Sequence, residues 1–229
     1  MHPYSPSHLL LPNYVRNNVS ALGLCSVMGS LIITVVGSTW MFARTGLSTT
    51  DKAIVCWFLI SGLLHLLFEG YFLVYHATLL SRIDLPAQLW KEYAISDSRY
   101  LSEDTFVLAI ERITVFLWGP LCLLAAAATA KSSYNRHALQ MLGSTAHIYG
   151  CLLYIVTSWE EGHRHSRPEP YYFWLYFVGF NAPWIVIPSI LIYRSFAQIA
   201  GAMKSAQELE ENKASALVIA DISLVPECR

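Results

Sequence analysis

Apolar residues run through this chain in five long blocks, separated by shorter polar segments. A helix that crosses a bilayer needs about 20 mainly apolar residues. No charge falls between Arg16 and Arg44, and that interval predicts a first helix over roughly Ser20 to Ala43. A second begins after Asp51-Lys52 and runs to about Tyr75, with His65 and Glu69 inside it. A third starts near Thr105 and ends before Lys131, carrying Glu111 and Arg112 in its first half. A fourth fills about Ala138 to Trp159, and a fifth the uncharged stretch from Tyr171 to Tyr193. The pattern predicts an all-α integral membrane protein, a bundle of five transmembrane helices. Residues 1–200 form the membrane domain, and 201–229 are a polar C-terminal tail whose first part extends the last helix and whose end is loose.

Composition strengthens this reading. Of 229 residues, 55% are hydrophobic and only 14% charged, against about 25% charged in soluble domains. The formal net charge of -1 gives nucleic acid no cationic surface to meet. Five cysteines, an odd number without C-x-x-C spacing, exclude a full disulfide framework and argue against a zinc site. They are expected to be buried reduced thiols. Cationic residues divide evenly between the two ends of the bundle, with Arg44, Lys52, Lys131, Arg136, Arg194 and Lys204 on one side. That side, with the C-terminus, is assigned to the cytoplasm.

Three ionisable groups stand at membrane depth: His65, Glu69 and Glu111. Each costs about 2.5–3.5 kcal/mol on insertion scales, so each is a site candidate. His65 and Glu69 are four residues apart and share a helix face. Glu111 and Thr114, and again Asn181 and Trp184, are three apart. Three helices thus offer polar pairs that point inward, toward an intramembrane ligand cavity. Simpler readings stand beside this one. His65 with Glu69 can be an ion pair that orients helices, Glu111 with Arg112 can snorkel to the interface, and Asn181 can be interhelical glue. Trp184 can belong to an interfacial belt.

Such a cavity would admit a largely hydrocarbon ligand, move protons and stabilise a cation. Motifs for nicotinamide, flavin or ATP are absent, as are H-E-x-x-H and G-x-S-x-G, so no cofactor and no metal are expected. His163-Arg164-His165 is expected to be a solvated loop. Cofactor-free proton transfer on a lipid, or plain binding of a lipid or amphiphilic amine, remain open.

On particular residues the chain resembles the emopamil-binding protein family, the sterol Δ8–Δ7 isomerases. The likeness covers His2-Pro3-Tyr4, Cys56-Trp57 and Gly62 to Phe72. It continues through Leu89-Trp90-Lys91-Glu92-Tyr93, Asp97-Ser98-Arg99-Tyr100 and Glu111-Arg112-Ile113-Thr114. Trp118-Gly119-Pro120, Ile148-Tyr149-Gly150 and Asn181-Ala182-Pro183-Trp184 complete it. The W-K-E-Y and D-S-R-Y blocks are the most specific, and the tail beyond about Ala200 has no match. The resemblance implies an EXPERA-type five-helix domain in the endoplasmic reticulum membrane with a sterol cavity. It implies His65, Glu69 and Glu111 as catalytic residues, and Thr114, Asn181 and Trp184 as substrate-binding residues. It also implies a Δ8-sterol substrate, protonation at C9, a cation at C8 and loss of a proton from C7. Lipophilic amines would bind as mimics of that cation. His147 stands where the family pattern has Gln, and Pro183 precedes the Trp. Relatives such as the sigma-2 receptor share the fold and imply an alternative, a binding protein without isomerase chemistry. Gly23, Gly29 and Gly37 in the first helix permit close contact with another copy, so a homodimer is left open.

Overall fold

The computed structural model describes residues 2–223. Cys228 and the loose end expected of the tail, 224–229, lie outside the described residues. Five helices are long and apolar enough to cross a membrane: Ala21–Phe42, Thr49–Ser81, Thr105–Ala130, Arg136–Glu160 and Tyr171–Leu217. They are called spans one to five below. No strand occurs among the described residues. The protein is thus the expected multi-pass, all-helical membrane protein.

Each start has a local chemical cause. Ser20, Ser48 and Asp104 sit just ahead of spans one, two and three, and their side chains accept the N–H groups of Gly23, Asp51 and Val107. These caps satisfy amides that the helix itself leaves unpaired. Within span one, Ser26, Ser30, Thr34 and Thr39 donate to the carbonyls four residues back. Their hydroxyls therefore need no partner from the lipid.

The second span packs chiefly on the third, and the fourth on the fifth and third. Contact between spans two and three is close enough to require glycine. A Cβ on Gly62 would lie 2.6 Å from Leu123 Cδ2, and one on Gly119 would lie 2.9 Å from Leu66 Cγ. At one end of the bundle a buried polar chain joins three spans. Gln140 donates to Thr129 Oγ1 at 2.8 Å and accepts from Ser195 Oγ at 3.0 Å. Span one stands at the edge, with only Leu24 and Thr39 buried.

Two helices outrun their apolar blocks. Span two continues through a tight 3-10 stretch, His76–Ser81. The fifth helix runs on past Tyr193 as far as Ser223. Residues 201–217 are exposed, so their helicity rests on good helix formers and on local pairs such as Gln207 Nε2 to Glu211 Oε1 at 2.9 Å.

The connection 76–104 is ordered and folds over one end of the bundle. Its helix, Leu85–Tyr93, starts on an Asp84 cap. Gln88 accepts the backbone N–H groups of Asn18 and Val19 at 2.9 and 3.0 Å, tying the N-terminal arm to this lid. Lys91 is fully buried and donates to the carbonyls of Val15 and Arg82, both at 2.7 Å. Burial pushes its ammonium below the usual lysine range, against the pull of Asp84. The Arg99 guanidinium forks onto Asp97 at 2.6–3.0 Å, both side chains buried.

The expectation of a solvated His163-Arg164-His165 loop holds for Arg164 alone. His163 accepts or donates at Ser158 Oγ, 3.0 Å away, and its ring meets Phe173 and Phe177 edge-on. His165 meets Ser98 Oγ at 3.0 Å. His165 thus ties this loop to the lid, while His163 packs between spans four and five.

Candidate active site

Three spans lose their regular α-helical spacing, and the stretches in spans two and three pack on each other. Residues Leu64–Glu69, Thr114–Trp118 and Tyr171–Val178 are π-helical, a widening that recurs at functional sites. Each stretch closes on a glycine: Gly70, Gly119 and Gly179 donate to the carbonyls of His65, Thr114 and Trp174, five residues back. Pro120 lacks an N–H altogether, which helps break the register just after the second stretch. The wider turns swing His65, Glu69 and Thr114 inward and free nearby carbonyls for other donors. Trp90 of the lid takes one of them, its indole N–H donating to Phe68 O at 2.9 Å.

The result is one cavity of about 430 Å³ between the spans and under the lid. That volume falls within the usual range for ligand pockets, about 300–1,000 Å³. His65, Glu69, Glu111, Thr114, Asn181 and Trp184 all line it. Leu24, Cys25, Met28 and Ile32 of span one contribute an apolar wall.

His65 Nδ1 lies 2.8 Å from both Glu69 oxygens. That contact fixes the ring and leaves Nε2 as its free nitrogen. Glu111 is buried at 5% exposure, while Arg112 is exposed, so the two do not snorkel together. Glu111 accepts from Tyr100 at 2.8 Å and from Thr114 at 3.4 Å. Thr114 Oγ1 also bonds the Glu111 carbonyl at 2.9 Å. Burial, with the Glu111 charge adding to it, pushes the Tyr100 phenol well above its ordinary range. Tyr100 keeps its proton in the hydrogen bond to Glu111 Oε1.

Asn181 is held from both sides. Its amide donates to Phe177 O at 2.7 Å, and its Oδ1 faces Cys151 Sγ at 3.7 Å. The helical hydrogen-bond ladder is interrupted at Ala182, just before Pro183, while the backbone stays helical, because proline has no N–H to donate. Trp184 then turns into the cavity, 5.7 Å from the His65 ring and 5.1 Å from Trp57. It does not sit in an interfacial belt.

Several lining residues escaped the reading of depth and spacing. His147 lies 5.4 Å ring to ring from His65, with the two Nε2 atoms 3.3 Å apart. Span four reads as an ordinary apolar block, so its one inward histidine looked like a departure from pattern and nothing more. Tyr93 and Tyr100 line the cavity from the lid, a segment that hydropathy marks only as a loop. Their signal was present in the W-K-E-Y and D-S-R-Y blocks, but without a role. His65, His147 and Cys122 also bring ligand atoms within 4.8 Å of one another, from three different spans.

The chain is similar to known proteins over most of its length. The family model for EBP, EXPERA (EXPanded EBP superfamily), matches residues 85–195. The chain is similar to the 3-beta-hydroxysteroid-Delta(8),Delta(7)-isomerase of Cavia porcellus, 39% identical over 210 residues, 90% of this chain and 92% of that protein. The protein of that name from Mus musculus is 39% identical over 211 residues, covering 88% and 90%. A probable 3-beta-hydroxysteroid-Delta(8),Delta(7)-isomerase from Arabidopsis thaliana is 34% identical over 213 residues, covering 93% and 95%.

Proposed function

The chain belongs to the EBP family of EXPERA proteins, and from that premise we propose that it is a sterol Δ8–Δ7 isomerase. The observation that carries this reading is the meeting of His65, Glu69, Glu111, Thr114, Asn181 and Trp184 on one apolar cavity. Relatives that bear the isomerase name match nearly the whole chain. A rigid tetracyclic hydrocarbon enters from the bilayer and lies among the apolar walls, with its ring B alkene against the polar cluster.

The chemistry is one proton in and one proton out. Charged His65, paired with Glu69, gives its Nε2 proton to C9 of the Δ8 alkene. The π electrons form the new C9–H bond and leave a tertiary cation at C8. Trp184 offers its indole face to that cation, and the carboxylates of Glu69 and Glu111 balance its charge. Glu111, oriented by Tyr100 and Thr114, takes a proton from C7, and the C7–H electrons become the Δ7 double bond. Glu111 then gives that proton to water and the His65–Glu69 pair takes one from water, which resets the site. The sum is redox-neutral and asks for no cofactor.

An ammonium at the position of C8 would meet the same charges, so lipophilic amines act as inhibitors. The endoplasmic reticulum membrane is the expected location, and the glycines of span one allow a homodimer. One experiment tests the function. Purified protein is given a Δ8-sterol in D2O, and the product is analysed for bond position and label. A Δ7-sterol carrying one deuterium at C9 is expected. Tight amine binding without conversion would replace this reading with that of a sterol and amine receptor.

A further inference from the structure

His147 is placed oddly for a core residue. It is 5% exposed, its Nδ1 is buried without a hydrogen-bond partner, and its Nε2 faces His65 Nε2 at 3.3 Å. The same Nε2 lies 3.4 Å from Cys122 Sγ. Two imidazole nitrogens and a thiol thus converge on one point at membrane depth. Zinc bonds of about 2.0–2.1 Å to nitrogen and 2.3 Å to sulfur, held at tetrahedral angles, set N···N near 3.3 Å and N···S near 3.6 Å. The edges from His147 Nε2, 3.3 Å to His65 and 3.4 Å to Cys122, come close to those lengths, and all three donors lie within 4.8 Å of one another. Glu69, holding His65 Nδ1 at 2.8 Å, is the outer carboxylate that metal-bound histidines ordinarily have.

We propose that His65, His147 and Cys122 form an inhibitory Zn2+ site inside the cavity. Nitrogen and thiolate donors suit a borderline-soft ion. His65 and His147 line the cavity whereas Cys122 lies behind it, in the cluster with Ile54, Phe58 and Ala125. An ion therefore enters from the cavity and keeps an open position toward it. Binding releases the thiol proton and occupies the His65 nitrogen that would protonate the sterol. Inhibition rests on the proposed isomerase chemistry, whereas the metal site itself does not.

The test uses full-length protein in lipid nanodiscs. Titration with Co2+ is expected to give a thiolate-to-cobalt charge-transfer band that Zn2+ bleaches. Cys122→Ala and Cys122→Ser are expected to lose the band. His147→Gln keeps the thiol but loses the tetrahedral visible spectrum. Zn2+ should inhibit the wild-type isomerase reversibly by chelation. Cys122→Ala, with its basal rate unchanged, should need at least ten times more Zn2+ for half inhibition. Absence of the thiolate band in the wild type would overturn the site, as would Zn2+ sensitivity in both Cys122 variants equal to that of the wild type. A normal band in protein that never converts a Δ8-sterol would keep the site and discard the isomerase.

Discussion

Glu111 is the residue on which the proposed chemistry turns. A positioned base contributes about 10²–10⁴-fold, so Glu111→Gln should lower kcat by at least a hundredfold with amine affinity reduced less. Steady-state assay of the Δ7 product checks this, and a full rate would remove Glu111 as base. Tyr100 positions Glu111 from outside the membrane-spanning segments, at 2.8 Å. A hydrogen bond to a charged group is worth about 1.5–3 kcal/mol. Tyr100→Phe should therefore lower kcat by about tenfold or more, with the sterol KM nearly unchanged. Loss in KM alone would assign Tyr100 to binding. Spacing pointed to Glu111 because a carboxylate at depth is costly. It could not point to Tyr100, since a tyrosine in a loop costs nothing until the loop is folded over the site.

At the scale of helices, the three π-helical stretches set the site. Gly119 donates to Thr114 O and packs against the other active turn, where an added Cβ would lie 2.9 Å from Leu66 Cγ and 3.2 Å from His65 Cβ. Overpacking of this kind costs about 1–3 kcal/mol, and small displacements of reacting groups cost more in rate than in stability. Gly119→Ala should thus lower the melting temperature slightly and the isomerase rate by tenfold or more. Gly29→Ala, where a Cβ meets nothing within 4 Å, should change neither. Thermal melts and rates measured side by side decide it, and equal rates would show that the turn does not position His65. The lid has its own anchor in Asp97 and Arg99. Removing one partner of a buried pair costs about 3–5 kcal/mol, so Asp97→Asn should be among the most destabilising single changes, read as an early melt in detergent.

Across the whole molecule, the cavity belongs to no single helix: all five spans and the lid line it. The extension of the fifth helix lies apart, exposed through residues 201–217. A chain ending at Ala200 should keep its melting temperature and sterol conversion, and loss of either would give the tail a role in the domain. The five spans were legible because each apolar block is a local property: a bilayer excludes charge wherever helix backbone crosses it. Glu69, Glu111 and His65 were legible for the same reason, as exceptions. What the sequence could not convey is distance between helices. His147 meets His65 across 82 positions of chain, and Ser98 meets the loop beyond Trp159 across 67. Nor does hydropathy register a π-turn, which changes which side chains face inward without changing a residue. Local composition therefore determined the membrane, the spans and the costly charges. Packing alone decided the lid, the second histidine and the single cavity in which these groups meet, because contacts between distant segments depend on close-packed surfaces that no one segment contains.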